Sequence, residues 1–214
     1  MSLPQLAFNP ELRAVLQRRL ADMDRRSEPT EGLKEAAVTL VILPGDEDRD
    51  HGEASIILTR RAMHLSRHSG QFALPGGRID AGETPVEAAL RELHEEVGLL
   101  LGQDRVLGLL DDYVTCSGYH MTSVVVWGDP TATIRPNPDE VAAVHRVPLT
   151  EIAAPDTRQM IDMDPGRPPA FSLAIAGTLV FAPTAAIMHQ LGRLAVDGEV
   201  ERVQSVEEPR FAWK

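Results

Sequence analysis

The chain has 214 residues, 43% hydrophobic and 25% charged, with a formal net charge of −11. That length suits one sizeable core, and the charge disfavours general binding to nucleic acid or anionic membranes, whose phosphates would be repelled. The one cysteine, Cys116, excludes an internal disulfide and a cysteine-rich zinc site, and is expected as an inert, partly buried thiol.

Asn9, Pro10 and Glu11 open a predicted helix whose apolar face is Leu12, Val15, Leu16, Leu20 and Met23, packed on the outside of the core. Residues 27–34 read as a linker, so 1–34 stand as an N-terminal helix and linker ahead of a main domain at 35–196. The run AAVTLVIL at 36–43 is almost continuously apolar and rich in β-branched residues, which predicts a buried strand. A polar loop follows at 44–53. Residues 55–59 form the next strand and hand the chain to an arginine-rich loop, then to Pro75-Gly76-Gly77, where adjacent glycines permit a tight turn.

Thr84, Pro85 and Glu87 supply an N-cap, a first-turn proline and a capping-box partner, and Gly98 a stop. Between them Val86, Ala89, Leu90, Leu93 and Val97 recur at helical spacing and leave Glu92, Glu95 and Glu96 on another face. Strands are predicted at 106–114 and 122–127, joined by a glycine-centred loop at 115–120 that can face the site. A loop at 137–141, a strand at 144–149, an apolar segment at 170–180 and a helix at 184–196 complete the reading. Ile187, Met188, Leu191 and Leu194 point inward on that helix, and residues 197–214 read as peripheral. Strands outnumber helices without regular crossover helices between them, which predicts a mixed α/β sandwich rather than a doubly wound parallel sheet.

Glu92, Glu95 and Glu96 stand at i, i+3 and i+4, where like charges cost about 0.2–0.5 kcal/mol per pair in an isolated helix. The negative end of the helix dipole adds to that cost. A hard divalent cation such as Mg2+ or Mn2+, shared with substrate phosphates, would relieve it, although E-x-x-E-E alone also fits a solvated helix face. Upstream, residues 54–79 contain no Asp or Glu while holding Arg60, Arg61, His64, Arg67, His68 and Arg78, a local cationic window in an acidic chain.

The spacing from Gly77 through Glu83, Arg91-Glu92-Leu93 and Glu95-Glu96 to Gly98-Leu99 resembles the Nudix box at every defining position. The resemblance implies a Nudix-type α/β/α sandwich with a mixed β-sheet, and hydrolysis of a nucleoside diphosphate linked to another moiety X. It further implies Mg2+ or Mn2+ held by Glu92, Glu95, Glu96 and the Gly76 carbonyl, and a Glu83–Arg91 pair that orients the helix. The general base varies within the family; Glu95 and Glu140 are the candidates.

Ile57-Leu58-Thr59-Arg60-Arg61-Ala62 and residues 70–77 are similar to the signature of coenzyme A pyrophosphatases, with Arg60, Arg61, His64, Arg67, His68 and Gln71 as candidate substrate-binding residues. Ser66 stands where a second arginine is expected, Leu74 replaces a phenylalanine, and Phe181 to Ala185 match only part of a later signature. Alternatives are another diphosphate, such as a nucleotide sugar or dinucleotide, or a catalytically silent nucleotide-binding regulator. The expected partner is a small nucleotide, with no nucleic acid or membrane, and homodimerisation stays open. No apolar run reaches the roughly 18 residues of a membrane span, and the N-terminus lacks a signal peptide's features, so a cytoplasmic location is expected.

Overall fold

The computed structural model describes residues 6–46, 52–65, 68–163, 166–203 and 206–209. Among them the chain runs α1 (Pro10–Asp22), β1 (Lys34–Pro44), β2 (Ala54–Arg61), β3 (Phe72–Ala73), β4 (Gly76–Arg78), α2 (Pro85–Val97), β5 (Val106–Leu109), β6 (Tyr113–Val114), β7 (Tyr119–Trp127), β8 (Val141–Pro148), α3 (Leu149–Ala153), β9 (Arg158–Ile161), β10 (Ala170–Ile175), β11 (Thr178–Phe181) and α4 (Thr184–Val196).

β1 is the axis. It pairs in parallel with β7 and antiparallel with β2 and β4, so the main sheet is mixed. β3 and β8 extend the sheet from β2, and β5 and β6 pair with β7. Successive residues of a strand point to opposite faces. Val38, Leu40 and Ile42 therefore enter one core, and Ala37, Val41 and Leu43 the other. Both faces are covered, which is why the sequence here is continuously apolar instead of alternating.

On one face α2 seats Ala88, Ala89, Leu93 and Val97; on the other lie α1, through Leu12, Leu16 and Leu20, and α4, through Ile187, Met188, Leu191 and Leu194. This is the expected α/β/α sandwich. Asn9 caps α1, its side chain accepting from the Leu12 N–H at 2.8 Å.

Several local expectations are corrected. The strand predicted at 106–114 is broken after Leu109, because Asp111 and Asp112, each 1% exposed, are ion-paired and hydrogen-bonded away from the ladder. The segment 170–180 is a hairpin of β10 and β11, turning at Ala176 and Gly177 with φ of 51° and 72°. Gly76 and Gly77 form no tight turn but pair with β1, where a Cβ on Gly76 would strike the Ala37 carbonyl and the Val38 backbone. Arg60 and Arg61 belong to β2 rather than to the loop after it. Cys116 is exposed rather than partly buried, and desolvation of its thiol, with the charges of Glu208 and Glu207, raises its pKa.

The described residues of the C-terminal segment are packed, not peripheral. Val203 is 2% exposed in the main core, Arg202 donates to both oxygens of Asp111 at 2.7 and 2.8 Å, and the Glu207 carbonyl accepts from the Phe171 N–H at 3.1 Å. A three-stranded antiparallel sheet, β11-β10-β9, stands beside these contacts.

Candidate active site

The site grows from the two ends of α2. At its start Thr84 and Glu87 form a reciprocal capping box: the Glu87 N–H donates to the Thr84 hydroxyl at 3.3 Å, and the Thr84 N–H donates to the Glu87 carboxylate at 2.8 Å. At its end Gly98 takes φ of 75°, a left-handed conformation in which a Cβ would also press on Arg135. The Arg135 and Asn137 N–H groups donate to the Val97 and Glu96 carbonyls, both at 2.8 Å. Those bonds complete the last turn, and they bring the following residue row, ending at Glu140, towards the carboxylates of the helix.

Arg91 organises the outer part. Its Nε and Nη2 donate to the two Glu83 oxygens at 2.8 and 3.0 Å, Nη1 donates to Glu92 at 2.8 Å and Glu95 at 3.1 Å, and Nη2 also reaches the Arg78 carbonyl at 3.1 Å. The pair expected between Glu83 and Arg91 is present as a two-point contact, the geometry that suits a planar guanidinium. It lowers the Glu83 carboxyl pKa, with help from the Asp80 N–H, and raises that of Arg91.

The three glutamates do not share one solvated face. Glu95 is half-exposed, Glu92 is mostly covered, and the Glu96 side chain is 5% exposed. Gly77 lets Glu92 lie against β4, since a Cβ there would overlap its carboxylate. Glu96 turns inward beside Gly76, whose backbone hydrogen-bonds to it. Its closest cation is Arg61, with Nη1 4.0 Å from Oε1, while Oε2 has no hydrogen-bond partner among the described residues.

Burial pushes the Glu96 carboxyl up to about 8, the charges of Glu92 and Glu140 add to the rise, and Arg61 opposes it. Burial likewise raises Glu92, although Arg91 pulls the other way. Glu140 is thus electrostatically part of the cluster, half-buried at the head of β8 rather than an ordinary exposed loop acid.

As placed, the acids do not converge: among the described residues no three acidic, histidine or cysteine side chains form a group that could hold a metal ion. Arg91 draws the Glu92 and Glu95 carboxylates to itself. The donor set nevertheless fits a hard cation. It is all oxygen, and it contains a buried carboxylate oxygen with no partner whose charged form its neighbours repel.

A cavity of about 910 Å³ opens beside this cluster and meets it at Arg61, Gly76 and Gly77. Of the predicted substrate residues, Arg60, Arg61, His68 and Gln71 line it, with His68 Nδ1 3.1 Å from Gln71 Oε1. His64 is exposed and does not line it. Arg67 and the neighbouring Ser66 lie outside the described residues. Lys34, Arg78 and Tyr119 were not among the predicted site residues yet form another wall, the Arg78 guanidinium donating to the Tyr119 hydroxyl at 2.8 Å. The remaining wall comes from the β10–β11 hairpin side, residues 178–184, and from Glu208. Only Arg78 had a sequence signal, as a member of the acid-free window.

Fold and site together define a class: an α/β/α sandwich whose capped helix carries carboxylates to the rim of an arginine-lined cavity. The chain belongs to the Nudix hydrolase family, whose members act on phosphorus anhydrides: the family model described as NUDIX domain matches residues 33–165. The Nudix hydrolase NudL of Pectobacterium atrosepticum, described as uncharacterized, is 33% identical over 190 residues, covering 87% of this chain and 88% of the relative. NudL of Escherichia coli O6:H1 is 40% identical over 100 residues, 46% of this chain, so the match spans about half of that relative, 52%. Among solved structures, a MutT/nudix family protein from Enterococcus faecalis has a TM-score of 0.53 at 17% identity, covering 89% of this chain and 75% of that one. A Nudix hydrolase from Alicyclobacillus acidocaldarius has a TM-score of 0.51 at 18% identity, covering 78% and 94%. These two likenesses concern the fold alone.

Proposed function

We propose that this Nudix hydrolase cleaves the diphosphate of coenzyme A or an acyl derivative, giving 3′,5′-ADP and 4′-phosphopantetheine or its acylated form, in the cytoplasm. The supporting observation is the cavity: in a chain of net charge −11, Lys34, Arg60, Arg61, His68 and Arg78 line one wall system that also carries Leu74, Met121, Leu179 and Ile187. Cations suit a diphosphate and a further phosphate. The apolar patches suit a pantetheine or acyl arm.

In this reading Glu92, Glu95, Glu96 and the Gly76 carbonyl hold Mg2+ or Mn2+, which when bound neutralises diphosphate charge and lowers the pKa of a water. Arg91, fixed by Glu83, holds Glu92 and Glu95 in orientation. Arg60, Arg61 and Arg78 bind the diphosphate and keep it in line for attack. The attacking water forms a new P–O bond, the bridging P–O bond breaks, and the electron pair leaves on the departing phosphate. A carboxylate accepts the proton of the water. Glu140 is the base we favour, because its charge acts on both Glu92 and Glu96 while the Glu95 carboxylate is engaged by Arg91.

A nucleotide sugar or a dinucleotide is the second reading, motivated by Ser66 at the position where coenzyme A pyrophosphatases carry an arginine. Comparing coenzyme A with 3′-dephospho-coenzyme A in the presence of Mg2+ or Mn2+ tests the proposal. Coenzyme A should show the higher kcat/KM, and Arg67→Ala should shrink the preference. Cleavage of a nucleotide sugar or dinucleotide with neither coenzyme turned over would overturn the coenzyme A assignment and leave the family assignment standing.

A further inference from the structure

Among the described residues Glu208 is the one carboxylate that lines the cavity, and it comes from the C-terminal segment, far in sequence from the box. It is 2% exposed. Its Oε1 accepts from the Cys116 N–H at 3.2 Å, whereas Oε2 is buried with no hydrogen-bond partner among the described residues. The Tyr113 hydroxyl beside it donates to the Val206 carbonyl at 3.4 Å, and together with the Cys116 N–H it opposes the rise that burial imposes on the Glu208 carboxyl pKa. Glu207 repels its charged form, and among the described residues none of the cavity's cations forms an ion pair with it.

The position is built, not incidental. Glu207 is ion-paired with Arg167 and accepts from Phe171, Val203 is in the core, and the turn that offers the Cys116 N–H is held by Thr115 and Ser117 at 3.0 Å. A buried carboxylate oxygen left without a donor is costly, and the cost is relieved by a ligand that brings one.

We infer that Glu208 is a specificity residue: it accepts a hydrogen bond from an N–H or O–H group on the X moiety of the substrate, and it disfavours a second anion at that place. The inference rests on the cavity being the substrate site, as proposed above. Coenzyme A meets the requirement through the amides and hydroxyl of its arm, a nucleotide sugar through its hydroxyls. A nucleoside 5′-triphosphate, whose X is a phosphate, does not.

The test compares wild type, Glu208→Gln and Glu208→Ala for KM and kcat on coenzyme A, or on a nucleotide sugar if that proves to be the substrate, and for inhibition by a nucleoside 5′-triphosphate. Glu208→Ala should raise KM about tenfold, the scale of a lost hydrogen bond to a charged group, with kcat within about twofold. Triphosphate inhibition should become tighter in both variants, because the charge that repels the anion is gone. Glu208→Gln, which keeps an acceptor oxygen and the side-chain volume, should retain most of the affinity and carries the test if the alanine variant does not fold. Equal weakening of substrate and triphosphate, or an unchanged ratio of the two in both variants, would overturn the role of Glu208 alone. Failure of wild type to cleave any of these diphosphates would overturn the reading of the cavity, and the inference with it.

Discussion

Two clusters of buried acids in this molecule have opposite fates. Asp111 and Asp112 sit between β5 and β6 and are fully engaged: Arg202 grips Asp111 through both oxygens, Gln190 donates to it at 2.8 Å, and Arg25 and the Thr122 hydroxyl bond Asp112. Glu96, with Glu92 and Glu140 nearby, is under-supplied. One guanidinium at 4.0 Å serves Glu96, and one of its oxygens has no partner. Charge that the protein itself neutralises ties segments together, here α1's trailing residues and the C-terminal segment onto the sheet. Charge that it leaves unmet is the place where an external cation and an anionic substrate can act.

The first consequence concerns stability. Asp112→Ala should cost about 3–5 kcal/mol, because Arg25 and the groups around it lose a buried partner; denaturant unfolding measures this, and KM for substrate should stay near wild type in whatever fraction folds. A loss below about 1 kcal/mol would mean that the cluster ties nothing down. Glu96→Gln should do the reverse, lowering turnover by about a hundredfold or more while the fold persists. Full cation-dependent activity in that variant would remove Glu96 from the site.

The two clusters should also respond differently to pH. The Glu96 carboxyl is raised from 4.5 to about 8 in the folded chain, so between those values the native state holds a proton that the unfolded state has lost. Stability of the cation-free protein therefore falls as pH rises through that window. In chelator, the melting temperature should drop between pH 5 and 8 more steeply for wild type than for Glu96→Gln, and Mn2+ at pH 8 should restore it. Parallel pH profiles for the two proteins would contradict the raised carboxyl. The smallest effect is expected for Glu83→Gln. Its partner Arg91 is 28% exposed in its side chain, so the stability loss should be about 1 kcal/mol, with a several-fold fall in rate as Glu92 and Glu95 loosen. An unchanged rate and melting temperature would show that the pair does not matter.

Much of this was legible in the sequence where chemistry is local. The caps of α2 are written in Thr84, Glu87 and Gly98, and the burial of β1 in an unbroken apolar run, because capping and strand burial involve residues within a few positions of one another. The oxygen-rich helix face was visible for the same reason, while the Glu83–Arg91 contact was implied by the resemblance to the Nudix box. Inequality among the three glutamates was not, since it depends on Gly77 and β4 packing against Glu92 and on Arg61 arriving from β2. Asp111 and Asp112 interrupt a strand only because Arg25 and Arg202 come to them from 85 or more residues away. The hairpin turn at Ala176 hid inside an apolar stretch, because alanine is a rare choice for positive φ. Glu208 carries no motif at all. Its place in the cavity follows from the packing of Val203, Glu207 and Phe171, which are long-range contacts without spacing.

The claim that unmet charge on α2 is a cation site is tested most directly by calorimetric titration of the chain with Mn2+ at neutral pH, in buffers of different ionisation enthalpy so that released protons are counted. Wild type should bind Mn2+ and release protons as the Glu96 carboxyl gives up its own, and Glu96→Gln should bind more weakly with that release gone. Mn2+ binding of the same strength and proton count in both proteins, or no binding to wild type, would contradict the account.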